Sequence, residues 1–396
     1  MSSTPRTGRR TALLGTAASL VALRTAQAQP QPSQAQAPAS PPASPQPAAP
    51  GAAPAAGLER VAAFEGQVTG VAVSKDGRMF VCFPRWEKDV EISVAEVGRD
   101  GSLKPYPDAE WNAYRNAAPR DLANHLICVQ SVTVDPQGFL WILDPAAPGN
   151  EFNLPGGVKM LKVDLGSNKV VQTIAFDSST APQGAYLNDV RVTPDGRWAF
   201  ITDSGQRGAI VVVDLSTGKA RRVLDGAGPT QPEPDVIVKA DGRELRRTDG
   251  RPTLFAADGI ALDAEGKYLY WQALTGRTLY RIATASLIDE GIAPTRLASS
   301  VEKIGTTCVA DGYWMDKAGN LYITSPEDDS LKVRRPDGRM DTLVQDKRLR
   351  WPDSLAEGPD GAIYVTTSQI QDMARYHEKG ATPQQAYALW RVQPAR

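Results

Sequence analysis

The chain has 396 residues, 41% of them apolar, with 44 basic against 45 acidic side chains and a formal charge of −1. It can bury a large core, but it has no global positive field for a nucleic acid backbone or an anionic bilayer, so neither partner is expected. Three cysteines without a CxxC pair exclude zinc fingers and iron–sulfur clusters, and two histidines exclude a three-histidine zinc site; 34 Gly and 31 Pro point to a turn-rich chain, not an all-helical one.

At the N-terminus, Arg9-Arg10 precede an apolar run from Ala12 to Leu23, and Ala26-Gln27-Ala28 supplies a small-x-small cleavage pattern. Residues 1–28 are therefore expected to be an export signal of the twin-arginine type, placing the mature protein in the periplasm or outside the cell. The run is shorter than the roughly 20 residues that span a bilayer, and Arg24 interrupts it, so no integral membrane segment is expected. Residues 29–57 are almost wholly Pro, Ala, Gln and Ser, too poor in large apolar side chains to offset the entropy of ordering, and are expected to form a disordered linker. The folded domain is then 58–396.

Within that domain six segments repeat an apolar strand, a turn ending in Gly and a second aromatic or β-branched strand. They are VAVSKDGRMFVCF from Val71, VTVDPQGFLWILD from Val132, VRVTPDGRWAFITD from Val190, IALDAEGKYLYWQ from Ile260, YWMDKAGNLYITS from Tyr313 and LAEGPDGAIYVTT from Leu355. Their turn glycines, Gly77, Gly138, Gly196, Gly266, Gly319 and Gly361, fall 61, 58, 70, 53 and 42 residues apart. In the third unit four strands can be counted, Val190–Thr193, Arg197–Asp203, Ala209–Leu215 and Lys219–Leu224, as an antiparallel meander. Six such units predict an all-β fold, a six-bladed β-propeller of four-stranded antiparallel blades. Tyr387–Val392 and Leu58–Phe64 are expected to close the ring, and helical character is expected only in connections around 108–125 and 372–376.

In a propeller the first strand of each blade lines the axis. Eight residues before the turn glycines stand Thr69, Gln130, Asn188, Asp258, Asp311 and Asp353, all polar beside apolar strands. Carboxylates about 6 Å apart at an effective dielectric of 20 would repel by roughly 3 kcal/mol per pair, so the ring calls for a cation, a cationic ligand or a raised carboxyl pKa. Asn188, Asp258 and Asp311 are the candidate ligands for a divalent cation such as calcium. The alternative is a structural role, with these side chains bonded to backbone or water. A second ring is expected where the second strands end: Phe83–Trp86, with Arg85 and Trp86 as ligand-binding candidates, then Asp144, Asp203, Gln272, Ser325 with Glu327, and Thr367. His125, five residues before Gln130, is a candidate proton shuttle beside Asp258, the candidate catalytic carboxylate. His377 is taken as structural, and Cys82, Cys128 and Cys308 as buried thiols, with a Cys128–Cys308 bridge conceivable after export.

Phe83-Pro84-Arg85-Trp86, SLKPYPDAEWN from Ser102, VQSVTVDPQGFLWILD from Val129 and DGIALDAEGKYLYWQALTGRTLYRI from Asp258 together resemble the major royal jelly and yellow protein family, over roughly Phe64 to Val392. The resemblance implies a secreted six-bladed propeller and a link to dopachrome conversion, pigmentation or the binding of aromatic amines in a central pocket. The chain is more distantly similar to gluconolactonase and senescence-marker propellers, which hold a divalent cation with a Glu, an Asn and an Asp. That likeness implies that Asn188 and Asp258 match the Asn and Asp, whereas the Glu falls on Thr69 and a substrate-binding Asn on Gln130; Asp311 or Asp353 could stand in for the Glu.

Three functions follow as alternatives: a monomeric propeller binding a small cationic or aromatic ligand, with dopachrome-tautomerase-like isomerase activity if catalytic; a divalent-metal-dependent lactonase; or a protein-binding platform without catalysis.

Overall fold

The repeat unit is built by its turn. The six turn glycines all have φ between 70° and 89°, a conformation that costs other residues strain. Three residues before the glycine stands Ser, Asp or Thr in five of the six blades, and its side chain accepts a backbone N–H across the turn, as Asp135 does from Phe139 and Asp316 from Asn320. Each turn joins an inner strand to a second strand in antiparallel register, for example Val190↔Ile201 and Val132↔Ile142.

The computed structural model describes residues 57–150 and 152–394. Six four-stranded antiparallel sheets follow one another along the chain, with inner strands Val71–Val73, Ser131–Val134, Leu187–Val192, Ala257–Leu262, Tyr313–Met315 and Pro352–Glu357. They form a six-bladed β-propeller. In the last blade Leu58–Phe64 pairs with Tyr387–Val392, which continues to Ile363–Thr367 and Pro352–Glu357, so the two ends of the domain are stitched into one sheet. Apolar residues of neighbouring blades form the core between sheets, as where Phe200 and Ile210 meet Trp271 and Ile260. No helix among the described residues is long and apolar enough to cross a membrane. The expected export signal (1–28) and, apart from Gly57, the expected linker (29–57) lie outside the described residues.

The connections differ from expectation. Segment 108–125 is not helical but a run of turns, tied down by the Asn112 amide and by Arg85 reaching the Tyr114 carbonyl. Segment 370–376 forms only two 3₁₀ turns, Ile370–Asp372 and Ala374–Tyr376. Two short helices, Thr284–Ile288 and Pro294–Ser299, instead follow the third strand of the fourth blade, the second with Pro at its start, where a missing N–H costs nothing. A two-stranded ribbon, Lys239–Ala240 with Arg243–Glu244, lies in the connection before that blade.

Candidate functional site

Each inner strand starts at the same end of the axis, so the polar column eight residues before the turn glycine converges there. Thr69, Gln130, Asn188, Asp258, Asp311 and Asp353 are all buried. All but Thr69 line one cavity of about 350 Å³. The hydroxyl of Thr69 donates to the Gln130 carbonyl at 2.8 Å, so it knits two blades together instead of facing the cavity.

The next column, Gly70, Ser131, Asp189, Gly259, Gly312 and Ser354, is small in every blade but one. The reason is crowding: a Cβ on Gly259 would lie 2.7 Å from the Asp311 carbonyl oxygen, and one on Gly312 would strike the Asp353 carbonyl. The exception, Asp189, puts a fourth buried carboxylate on the axis, 3.9 Å from the guanidinium of Arg191.

The cavity floor is a chain of hydrogen bonds. Asn188 Nδ2 donates to Asp258 Oδ1, Asp258 and Asp311 share a hydrogen bond, and Trp351 Nε1 donates to Asp311 Oδ2 at 2.6 Å. Asp353 accepts from the Ser354 hydroxyl at 3.1 Å through Oδ1, while its buried Oδ2 lacks a well-formed hydrogen bond, as does the nearby Ser368 hydroxyl. Burial, reinforced by neighbouring carboxylates, raises the pKa of all three: Asp311 to about 7, Asp258 and Asp353 well above the usual carboxylate range. This floor therefore holds protons at neutral pH.

One wall is aromatic. Trp86 Nε1 donates to the Tyr186 hydroxyl at 2.7 Å, and that hydroxyl donates to Gln130 Oε1 at 2.9 Å, so both rings are fixed edges of the cavity. Phe255 also lines it. Arg247 and Arg375, half-buried, and the exposed Arg251 also line the cavity, so basic side chains share it with the carboxyl floor. Tyr186 and the arginines lie in connections that obey no repeat, and no sequence signal marked them. Asp189 had one, as the odd member of a small-residue column.

Apart from Trp86, the second ring does not reach this cavity. Arg85 is fully buried with its donors spent on Asp89, Ser93 and the carbonyls of Val90, Tyr114 and Ile127. Gln272 donates to the carbonyls of Gly276 and Cys308 and accepts from Tyr313 and Thr307. Asp144 accepts from the backbone N–H groups of Ile127, Cys128 and Ala146 and from Lys159. Asp203 does the same for Tyr186 and Gly205. Polar strand ends here cap loops. Of that ring Trp86 alone lines the cavity. His125 lies outside it as well, held by the Asp121 carbonyl at 2.7 Å and Glu110 at 3.3 Å. The three thiols are free: Cys82 and Cys128 are buried, the former pushed up to about 12 by desolvation, and Cys308 is half-buried.

The carboxyl ring is not arranged as a metal site. Asn188 turns its amide N–H toward Asp258, Asp258 and Asp311 bind each other, and no group of three His, Cys, Asp or Glu side chains among the described residues is arranged to hold a metal. Thr69, where a cation-binding Glu would stand, is spent on Gln130.

Comparison with known proteins agrees with the architecture. The chain is 27% identical over 133 residues to protein yellow of Drosophila melanogaster, covering 28% of this chain and 24% of that protein; for protein yellow of Drosophila pseudoobscura pseudoobscura the match is 27% over 138 residues, 32% and 24%. The chain thus spans about a quarter of the length of these curated relatives. Among solved structures, a gluconolactonase from Xanthomonas campestris superposes with a TM-score of 0.52 at 13% identity, over 86% of this chain and 90% of that one. A calcium-binding protein, regucalcin, from Agrobacterium tumefaciens gives 0.50 at 13%, over 85% and 93%. These two establish the shared fold alone. The model of the major royal jelly proteins matches residues 127–382, well over half of the sequence. The chain belongs to the major royal jelly protein family.

Proposed function

We propose that this protein is an exported propeller that binds a small cationic aromatic molecule in the cavity at the strand-start end of its axis and, where it is catalytic, moves a proton on that molecule. The observation that carries the reading is the desolvated Asp258–Asp311–Asp353 floor, with the Asp353 Oδ2 acceptor unsatisfied, facing the Trp86–Tyr186 wall. An ammonium group would satisfy that acceptor and favour the ionised form of the floor carboxyls, displacing their protons, and the rings would stack on an aromatic body. Asp311, titrating near 7, is suited to give and take a proton at neutral pH, the requirement for tautomerisation of a quinoid or catechol-like ring. Export rests on the arginine pair and cleavage pattern of residues 1–28.

A lactonase would need Asn188 to turn away from Asp258 and the Asp258–Asp311 bond to break around a cation, so the geometry favours the first reading. The test is a melting curve with serotonin and dopamine. Both should raise the melting temperature of the wild type, and the D258N/D353N double variant should lose the effect. An unchanged wild-type curve, or persistence of the shift in the folded double variant, would overturn the placement of the ligand.

A further inference from the structure

The inner strands end at the hairpin turns, and there, at the other end of the axis, a second cavity of about 500 Å³ opens. Val134, Val192, Leu262, Met315 and Trp314 contribute to its walls, and the turn residues Pro136, Pro194 and Pro359 give it a stiff apolar rim. It is within the size range of small-molecule sites.

Arg191 reaches this cavity from the axis. The residue is 9% exposed, and its Nη1 and Nη2 donate to the Val190 and Tyr313 carbonyls at 2.8 and 2.6 Å. Its Nε has no hydrogen-bond partner, and the nearest carboxylate, Asp189, stands 3.9 Å away, beyond hydrogen-bond range. A buried guanidinium thus keeps one N–H without an acceptor and meets its counter-charge, Asp189, only at 3.9 Å, and an anion would complete its hydrogen bonds. Its Cζ lies 5.8 Å from the centre of the Trp314 ring, which extends a flat apolar surface beside the charge.

The acids of the same cavity are already engaged. Asp135 accepts from Phe139 N and Trp141 Nε1, Asp263 from Lys267 N and Tyr268 N, and Glu357 from Trp314 Nε1. Lys75 and Lys317 stand among the turn residues that line it. Acids and bases of the lining balance in number, and Arg191 is the one among them with a buried N–H that lacks an acceptor, beside apolar walls.

We infer that this turn-side cavity is a second binding site, for a small monocarboxylate with an apolar or aromatic body, its carboxylate on Arg191 and its body against Trp314. The site is independent of the carboxyl-lined cavity and stands or falls separately from the function proposed above.

Benzoate is the probe, with neutral benzamide as its isostere. Titrated into the full domain by calorimetry and by NMR of the tryptophan indole signals, benzoate should saturate one site and move the Trp314 indole resonance while leaving Trp86 and Trp351 in place. Benzamide should bind about tenfold or more weakly, the equivalent of one charge-assisted hydrogen bond. R191M should abolish binding. Because Arg191 also supports two carbonyls, A264W, a substitution of an exposed turn residue lining the cavity, is the second variant and should weaken benzoate by a similar factor without touching the core. Absence of saturable binding to the wild type, equal affinity for benzamide, shifts confined to Trp86, or undiminished affinity in folded A264W would each overturn the assignment.

Discussion

The indole nitrogen of Trp351 lies 2.6 Å from Asp311 Oδ2, and Trp351 is also the residue where the chain turns through φ = 51° before entering the strand that carries Asp353. A bulky side chain in the left-handed region costs roughly 1–2 kcal/mol, so the backbone is held there by its surroundings. The result is that one residue clamps Asp311 and launches Asp353. W351F keeps an aromatic body but removes the donor that favours ionised Asp311. Its expected effects are a carboxyl titration of Asp311 moved above the wild-type midpoint of about 7 and a stability loss of about 1–3 kcal/mol from the unmade buried bond. Carbon-13 titration of the aspartate carboxyls and urea melts read the two effects separately.

The raised pKa of Asp311 sets the sign of a pH dependence. Between the ordinary 3.8 and about 7 the folded chain keeps a proton on Asp311 that the unfolded chain has released. The folded state thus binds more protons in that window, and stability falls as pH rises through it, then levels off for this group. Asp258 and Asp353, also raised by burial, act in the same direction. The melting temperature should decline between about pH 4 and about pH 7, less steeply in D311N, which mimics the protonated form. A curve equally steep in D311N would place the responsible group elsewhere.

Ligand binding should carry the opposite slope. A cation at the floor favours ionised carboxylates, so binding releases protons and tightens as pH rises through about 7, the midpoint of Asp311. Calorimetry of serotonin in buffers of different ionisation enthalpy counts those protons directly. Zero proton release at neutral pH would contradict a cation seated on this floor.

The inner column was legible in the sequence because every blade repeats the same turn chemistry: once Gly138, Gly196 and Gly266 are aligned, counting back reaches Gln130, Asn188 and Asp258, and the structure puts all three on one cavity. Closure by Leu58–Phe64 was legible in the strand-like alternation of Tyr387–Val392, with which it pairs. What escaped lies where no period operates. Tyr186 precedes its strand, and Arg247 and Arg375 come from long connections whose path depends on tertiary contacts. The second ring was misplaced because polar residues at strand ends look alike whether they face a ligand or accept loop N–H groups, and only the accounting of backbone donors separates the two.

That accounting yields a sharp contrast between rings. Asp144 and Lys159 are 0% and 1% exposed and paired at 3.2 Å, and Asp144 also holds three backbone N–H groups. D144A leaves a buried ammonium without its counter-ion and should cost about 3–5 kcal/mol. R85A removes the donor from six acceptors and should cost on a comparable scale. D353N, by contrast, removes a carboxylate whose Oδ2 is unsatisfied and should stabilise the ligand-free protein or leave it unchanged while weakening a cationic ligand. Chemical denaturation of the three variants side by side checks the ordering.

Glycines offer the last test, because two of them matter for different reasons. Gly361 has φ 77° with nothing within 4 Å of an added Cβ, so G361A should cost only the conformational strain of a turn, about 1 kcal/mol. Gly312 has an ordinary φ, but an added Cβ would run into the Asp353 carbonyl and lie 3.1 Å from Ser354 Cα. Backbone cannot yield as a flexible side chain can, so the inner strand of the sixth blade must move, and Asp353 moves with it. G312A should therefore lose the serotonin-induced rise in melting temperature even where it folds, whereas G361A should keep it. Equal ligand responses in the two variants would mean that close approach of the fifth and sixth inner strands does not position Asp353.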